Sequence, residues 1–261
     1  MESPPSFEEI IRRRVLYTMP AMEPAQVREG LPYKSADGAS LSFDLYAPAG
    51  ASRPRPAVIL IHGGPVPVSG ARRWGMFVSY GEMLAALGLV GIVFDHRFVA
   101  PDRLPEAAAD TADLIRYVRE HAASLGVDKE RLALWAFSGG GPLLAATVRQ
   151  RPSWCKLIVG YYALMEFGGI ANADEYSVVA ALGDDGATAP PMLLVRAGLD
   201  NPALNATIDR LVAAAIPAGA TVDLLTHPTG HHAFDILDPG ERSRQIIRRT
   251  LDAIRGTLET A

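Results

Sequence analysis

From residue 57 onward, short and almost wholly apolar runs take turns with segments whose apolar residues recur every three or four positions. AVILI at 57–61, LVGIVF at 89–94, LALWAF at 132–137, LIVGYYA at 157–163 and MLLV at 192–195 read as strands covered on both faces, because a half-wet strand would alternate. Helices must supply that cover. Phe77, Tyr80, Leu84 and Leu87 form one helical stripe, and Leu204, Ile208, Leu211 and Ala215 another. Leu104, Ala108, Ile115, Val118, Ala122 and Leu125 form a third, with Asp110, Asp113, Arg116 and Arg119 expected to point away from it and Gly126 to cap its end. Ile247, Leu251, Ile254 and Leu258 mark a last amphipathic helix. Alternation of this kind predicts an α/β fold with a mostly parallel central sheet and helices on both faces.

Residues 31–48 read differently, as two antiparallel strands around the turn signal Asp37-Gly38, and would add a hairpin to one edge of the sheet. Residues 1–30 form an N-terminal extension with a short helix around Phe7 to Val15, and residues 31–261 form the main domain. Within it, 164–189 is too long for an ordinary connection and is a candidate small cap over a site.

A net charge of −4 and the absence of a basic run beyond Arg12, Arg13 and Arg14 argue against a nucleic-acid partner. No stretch approaches the apolar length of a membrane helix, and the first twenty residues lack a signal-peptide core. The single cysteine, Cys155, suits a reducing compartment and reads as a small apolar packer. A cytoplasmic protein without a membrane partner is the expectation.

The chemistry centres on Ala136-Phe137-Ser138-Gly139-Gly140, at the end of one apolar strand and before the helix-like GPLLAATVRQ. A serine on a sharp strand-to-helix turn needs small neighbours two residues before and after, and Ala136 and Gly140 supply them. The turn would aim the Gly139 N–H from a helix start at developing negative charge. A second loop, His62-Gly63-Gly64-Pro65, comes after the strand at 57–61. Pro65 has no N–H, so the second oxyanion donor falls to Gly64, with Gly63 the less favoured choice. A serine hydroxyl needs a base. Of six histidines, His231 and His232 lie in a loop after the last strand, where this topology delivers one. Asp200 comes after the strand at 192–195 and precedes a helix, a position equally open to a helix cap. Asp184, Asp185, Asp223 and Asp235 are rival acids.

HGG after a strand, A-x-S-x-G, Ala-Gly-Leu-Asp at a strand end and a late Gly-x-His-x-Phe together resemble the α/β-hydrolase superfamily over residues 31–258, closest to the dienelactone hydrolase and small-esterase branch. The resemblance implies a catalytic triad of Ser138, Asp200 and His232; His232 is preferred to His231 because the His-x-Phe pattern falls on His232 and Phe234. Dienelactone hydrolases carry cysteine at the nucleophile where this chain has Ser138, so a lactone substrate does not carry over. The implied reaction is cleavage of a small-molecule ester through an acyl-enzyme, with no cofactor and no metal. His62, Pro65, Trp74, Phe137, Met165, Phe167 and His231 are the candidate pocket residues, and Arg72 and Arg73 could attract an acidic group. A peptidase, amidase or lactonase on the same triad, or a non-catalytic ligand-binding protein of this fold, stays open.

Overall fold

The computed structural model describes residues 6–19, 25–36, 38–66, 70–183 and 186–260. Asp37 of the expected turn, and the rival acids Asp184 and Asp185, lie outside these. In chain order the elements are α1 (Phe7–Arg12), β1 (Gln26–Ala36), β2 (Ala39–Ala47), β3 (Arg55–Ile61), α2 (Gly75–Ala86), β4 (Val90–Phe94), α3 (Leu104–Glu120), α4 (Ala122–Leu125), β5 (Val127–Phe137), α5 (Ala145–Gln150), β6 (Cys155–Tyr161), α6 (Val178–Leu182), β7 (Met192–Ala197), α7 (Pro202–Ala218), β8 (Val222–His227), α8 (Phe234–Leu237) and α9 (Glu241–Thr260). The strands form one eight-stranded sheet in the order β1-β2-β4-β3-β5-β6-β7-β8. β1 and β2 pair antiparallel, as do β2 and β4, and the rest of the sheet is parallel.

The uninterrupted apolar strands have the expected cause. Ile59, Ile61, Leu134, Ala136 and Ile158 face one layer, closed by residues of α3, α6 and α7. Their neighbours Val58, Leu60, Trp135, Phe137 and Val159 face the other, closed by α2 and α9. Each strand therefore serves two cores, and a polar residue on either face would be buried.

Three expectations change. The hairpin is longer than its sequence signal, since β1 begins at Gln26, within the stretch that carried no readable pattern. The stripe from Leu104 to Leu125 breaks at His121 into α3 and α4, and Gly126 closes it at φ +71. Asp110 does not point outward: it is fully buried and accepts from Lys34 Nζ at 2.7 Å, Arg97 Nε at 2.9 Å and the Arg97 N–H at 3.0 Å. A carboxylate can leave water at this depth only with such partners. Its consequence is local, because it pins the loop after β4, which packs against the site.

Candidate active site

Register brings the ends of β5, β6, β7 and β8 to one edge of the sheet: Phe137 pairs with Tyr161, Tyr161 with Val195, and Ala197 with His227. Ser138 leaves β5 in the left-handed region at φ +52, a strained conformation for a side-chain-bearing residue. The expected helix after it does not start as an α-helix. Residues Ser138–Leu144 form a 3-10 turn, and the α-helix begins at Ala145. Three successive glycines and Pro142 make a poor first α-turn.

The glycines answer to crowding. A Cβ on Gly139 would lie 1.9 Å from the Gly64 carbonyl oxygen, and one on Gly140 2.7 Å from that of His62. On the opposing loop, a Cβ on Gly63 would come within 2.8 Å of the Ser138 Cβ. The two loops expected from sequence are thus packed backbone to backbone, and Gly64, Ser138 and Gly139 line one cavity.

The loop at 62–66 is held from behind by the loop after β4. The Val66 N–H donates to the Phe98 carbonyl at 3.1 Å. His96 stacks on His62 with ring centroids 3.6 Å apart and planes 11° from parallel. The Phe98 N–H donates to His96 Nδ1 at 3.3 Å, so the His96 proton sits on Nε2, which donates to the His62 carbonyl at 3.2 Å. His62 donates from Nδ1 to the Gly63 carbonyl at 2.7 Å. Burial pushes the His62 pKa down to about 4, against the smaller opposing effect of that hydrogen bond, and drives His96 well down too. Both rings are neutral at pH 7.

Asp200 and His232 are brought together from β7 and from the loop after β8. His232 Nδ1 and Asp200 Oδ2 are 2.7 Å apart. A carboxylate only accepts, so Nδ1 carries the proton and Nε2 presents its lone pair. Asp200 is buried, and its other oxygen accepts from the Asn201 N–H at 2.6 Å. The cap reading of Asp200 is overturned, because Asn201 caps α7 by accepting from the Ala203 N–H at 2.9 Å. The His-x-Phe pattern gains a physical basis: Ala233 turns the chain at φ +60 and Phe234 is fully buried against Tyr161 and Tyr162, anchoring the loop two residues from His232.

The cavity at Ser138 measures about 750 Å³ and runs from Gly64 and Pro65 past Leu164, Phe167 and Leu204 to Arg210, which is paired with Glu166 at 2.5 Å. Of the expected pocket residues, Pro65 and Phe167 line it. The others do not. His62 and Phe137 are buried behind the site, Phe137 among Phe77, Tyr80 and Trp135. Met165 is buried, with its terminal methyl near Gly160 and its N–H donating to Thr207 Oγ1 at 2.9 Å. Trp74 meets Phe7 edge-on at 5.6 Å and lines a separate groove beside α1. His231 is exposed and bonded to Asp238 at 3.1 Å. Arg72 pairs with Asp44 and Asp95, so it is no acid receptor. Residues 164–177 supply much of the wall. Leu204, Thr207 and Arg210, on the inward stripe of α7 and next to it, were missed: the stripe read as core, and only the position of α7 beside the β7 end exposes its first turns to the cavity.

Strand order, elbow and strand-end loops together define an α/β-hydrolase fold. Within that class, residues 43–166 match the BD-FAE family. The chain is 23% identical to Thermogutta terrifontis esterase 2 phosphonylated by sarin, with a TM-score of 0.70 over 90% of this chain and 94% of the other. A butyrate-bound structure of the same esterase gives 0.68 at 23% identity, covering 90% and 96%. Among curated proteins, a probable isoprenylcysteine alpha-carbonyl methylesterase of Arabidopsis thaliana is 27% identical over 106 residues, 41% of this chain and 22% of that protein. An arylesterase of Saccharolobus solfataricus is 38% identical over 56 residues, 22% of this chain and 18% of that one. The matched stretches span only about a fifth of these two relatives.

Proposed function

We propose that the protein is a serine hydrolase that cleaves small carboxylic esters through an acyl-enzyme. Two observations carry this: Ser138 is strained at φ +52 on the wall of a cavity shared with Gly64 and Gly139, and another strand-end loop on the same sheet edge carries an imidazole whose Nδ1 is tied to Asp200. Ser138 Oγ attacks the ester carbonyl carbon as its proton passes to His232 Nε2. The N–H groups of Gly139 and Gly64 receive the oxyanion. Collapse breaks the bond to the alcohol, which leaves with the proton from the imidazolium. Water, deprotonated by His232 in turn, attacks the acyl-serine; the acyl–Oγ bond breaks, the imidazolium returns the proton to Ser138 Oγ, and the acid is freed.

Asp200 keeps the imidazole in the tautomer that can accept and stabilises its charged form. The similar proteins named above favour ester over amide, since they are esterases, and one of them has structures with butyrate bound and with sarin and paraoxon adducts. Leu164, Phe167 and Leu204 supply an apolar wall suited to a short acyl or small alcohol group, and residues 164–177 of the expected cap cover the site on that side. No helix among the described residues is long and apolar enough to cross a membrane. The single buried Cys155 supports the cytoplasmic setting included in this proposal.

Ser138→Ala is expected to lower hydrolysis of a nitrophenyl ester by roughly 10⁴-fold or more while leaving the circular dichroism spectrum unchanged. A fluorophosphonate should label the unaltered protein at Ser138 and fail on the variant. Retained turnover in Ser138→Ala would overturn the proposal.

A further inference from the structure

Asp235 is a buried polar group beside the site that the proposed chemistry leaves unused. Its side chain lies fully inside the protein, three residues after His232, and its two oxygens accept from two phenols: Tyr80 Oη at 2.7 Å and Tyr162 Oη at 2.8 Å. These partners are neutral, unlike the Lys and Arg around Asp110, so the carboxylate is held without a bonded cation. Burying an acid in this way is unfavourable compared with an apolar side chain of the same size. Burial, the dominant effect, raises its pKa despite the two hydroxyl bonds.

Tyr162 links this carboxylate to the site. It sits just past the end of β6 at φ +37, a left-handed conformation, and its N–H donates to the Val195 carbonyl at 2.8 Å. Its ring packs on the His232 imidazole, with centroids 4.7 Å apart and planes 58° apart. Two residues on, the Leu164 N–H donates to the Ser138 carbonyl at 2.9 Å. The N-terminal extension closes the assembly from the other side, where the Leu16 N–H donates to the Asp235 carbonyl at 2.8 Å and Val15 is buried. Asp200 fixes one edge of the imidazole; the Tyr162 ring packs against it at a tilt.

We infer that Asp235 and Tyr162 act as a positioning pair for His232, in which the buried carboxylate holds the Tyr162 hydroxyl so that the ring keeps the imidazole aligned for proton transfer. This rests on the proposed role of His232 as the base. A geometric function of this kind governs the step in which the proton moves more than the step in which substrate docks, since neither side chain lines the cavity at Ser138.

The test is nitrophenyl-ester kinetics normalised to active sites counted with a fluorophosphonate, on Tyr162→Phe, Asp235→Asn, the double variant and His232→Ala. Tyr162→Phe keeps the ring and loses only the hydroxyl, so it serves even where Asp235→Asn folds poorly. Expected is a fall in kcat of about 10-fold or more in each single variant, KM within about twofold, and no further fall in the double variant, as for residues acting through one contact. A Tyr162→Phe protein with unchanged kcat per active site overturns the inference, even if its Tm drops, because lowered stability alone reports a structural role. If His232→Ala abolishes turnover while Tyr162→Phe does not, only this inference falls. If His232→Ala keeps turnover, the base assignment itself is wrong.

Discussion

Two loops at the sheet edge that carries Ser138 are held by opposite means. The loop carrying Gly63 and Gly64 is backed by two stacked, neutral imidazoles and by main-chain bonds to the loop after β4. The loop carrying His232 is backed by aromatic rings, a phenol-bound carboxylate and the buried Phe234. Acid acts on them with opposite sign. A histidine whose folded pKa is depressed favours folding above its free value and loses that contribution as pH falls. A carboxylate whose folded pKa is raised loses its contribution as pH rises instead. The first support is therefore the acid-sensitive one, and the second is not weakened by acid.

The largest effect on this contrast is expected at the crowded backbone. Gly64→Ala places a Cβ 2.4 Å from the Phe98 ring and 2.8 Å from its carbonyl oxygen, so the loop must shift. Displacing this proposed oxyanion donor should cost about 10²–10³-fold in kcat, measured on a nitrophenyl ester with labelled active sites as the denominator.

A smaller effect bears on the difference in sign. With His62 at about 4 when folded and 6.5 when free, the unfolded chain binds a proton that the folded chain refuses throughout that interval. Stability contributed by neutral His62 is complete above pH 6.5 and drains away toward pH 4, on the order of 3 kcal/mol in all. His96 adds to the same slope. Thermal melts from pH 7 to pH 4.5 should show Tm falling with acid, and His96→Gln should flatten that fall even if it lowers Tm at pH 7. An unchanged slope would mean that the imidazole stack is not the acid-sensitive element.

The least change is expected one residue away from the proposed base, His232. His231 sits on the surface with its side chain 61% exposed and paired to Asp238, an arrangement worth roughly 0–1 kcal/mol. His231→Ala should keep kcat/KM within about twofold. A loss approaching that of His232→Ala would reverse the assignment of the two neighbouring histidines.

Much of this was legible in the chain because it depends on local rules. Near-continuous apolar runs indicate strands with two covered faces, and small residues flanking Ser138 mark a turn that larger ones could not make. Asp200 and His232 were found as a pair because each lies beyond a strand end, and in a parallel sheet those ends collect on one edge. The pocket was read less well. Trp74, Phe137 and Met165 are near Ser138 or its loops in sequence, but strand alternation and packing turn them into the core or toward α1. Leu204 and Arg210 face the cavity only because α7 lies beside it.

Local sequence was enough to order the strands and helices and to name the residue types standing at the strand ends, since periodicity and turn chemistry act over a few residues. Which buried polar groups meet depended instead on the assembled sheet. Asp235 joins Tyr80 and Tyr162, and Asp110 joins Lys34 and Arg97, across separations of 155, 73, 76 and 13 residues respectively. A charged side chain looks the same in sequence whether it faces water or a partner, and only the order in which the strands line up settles which it meets.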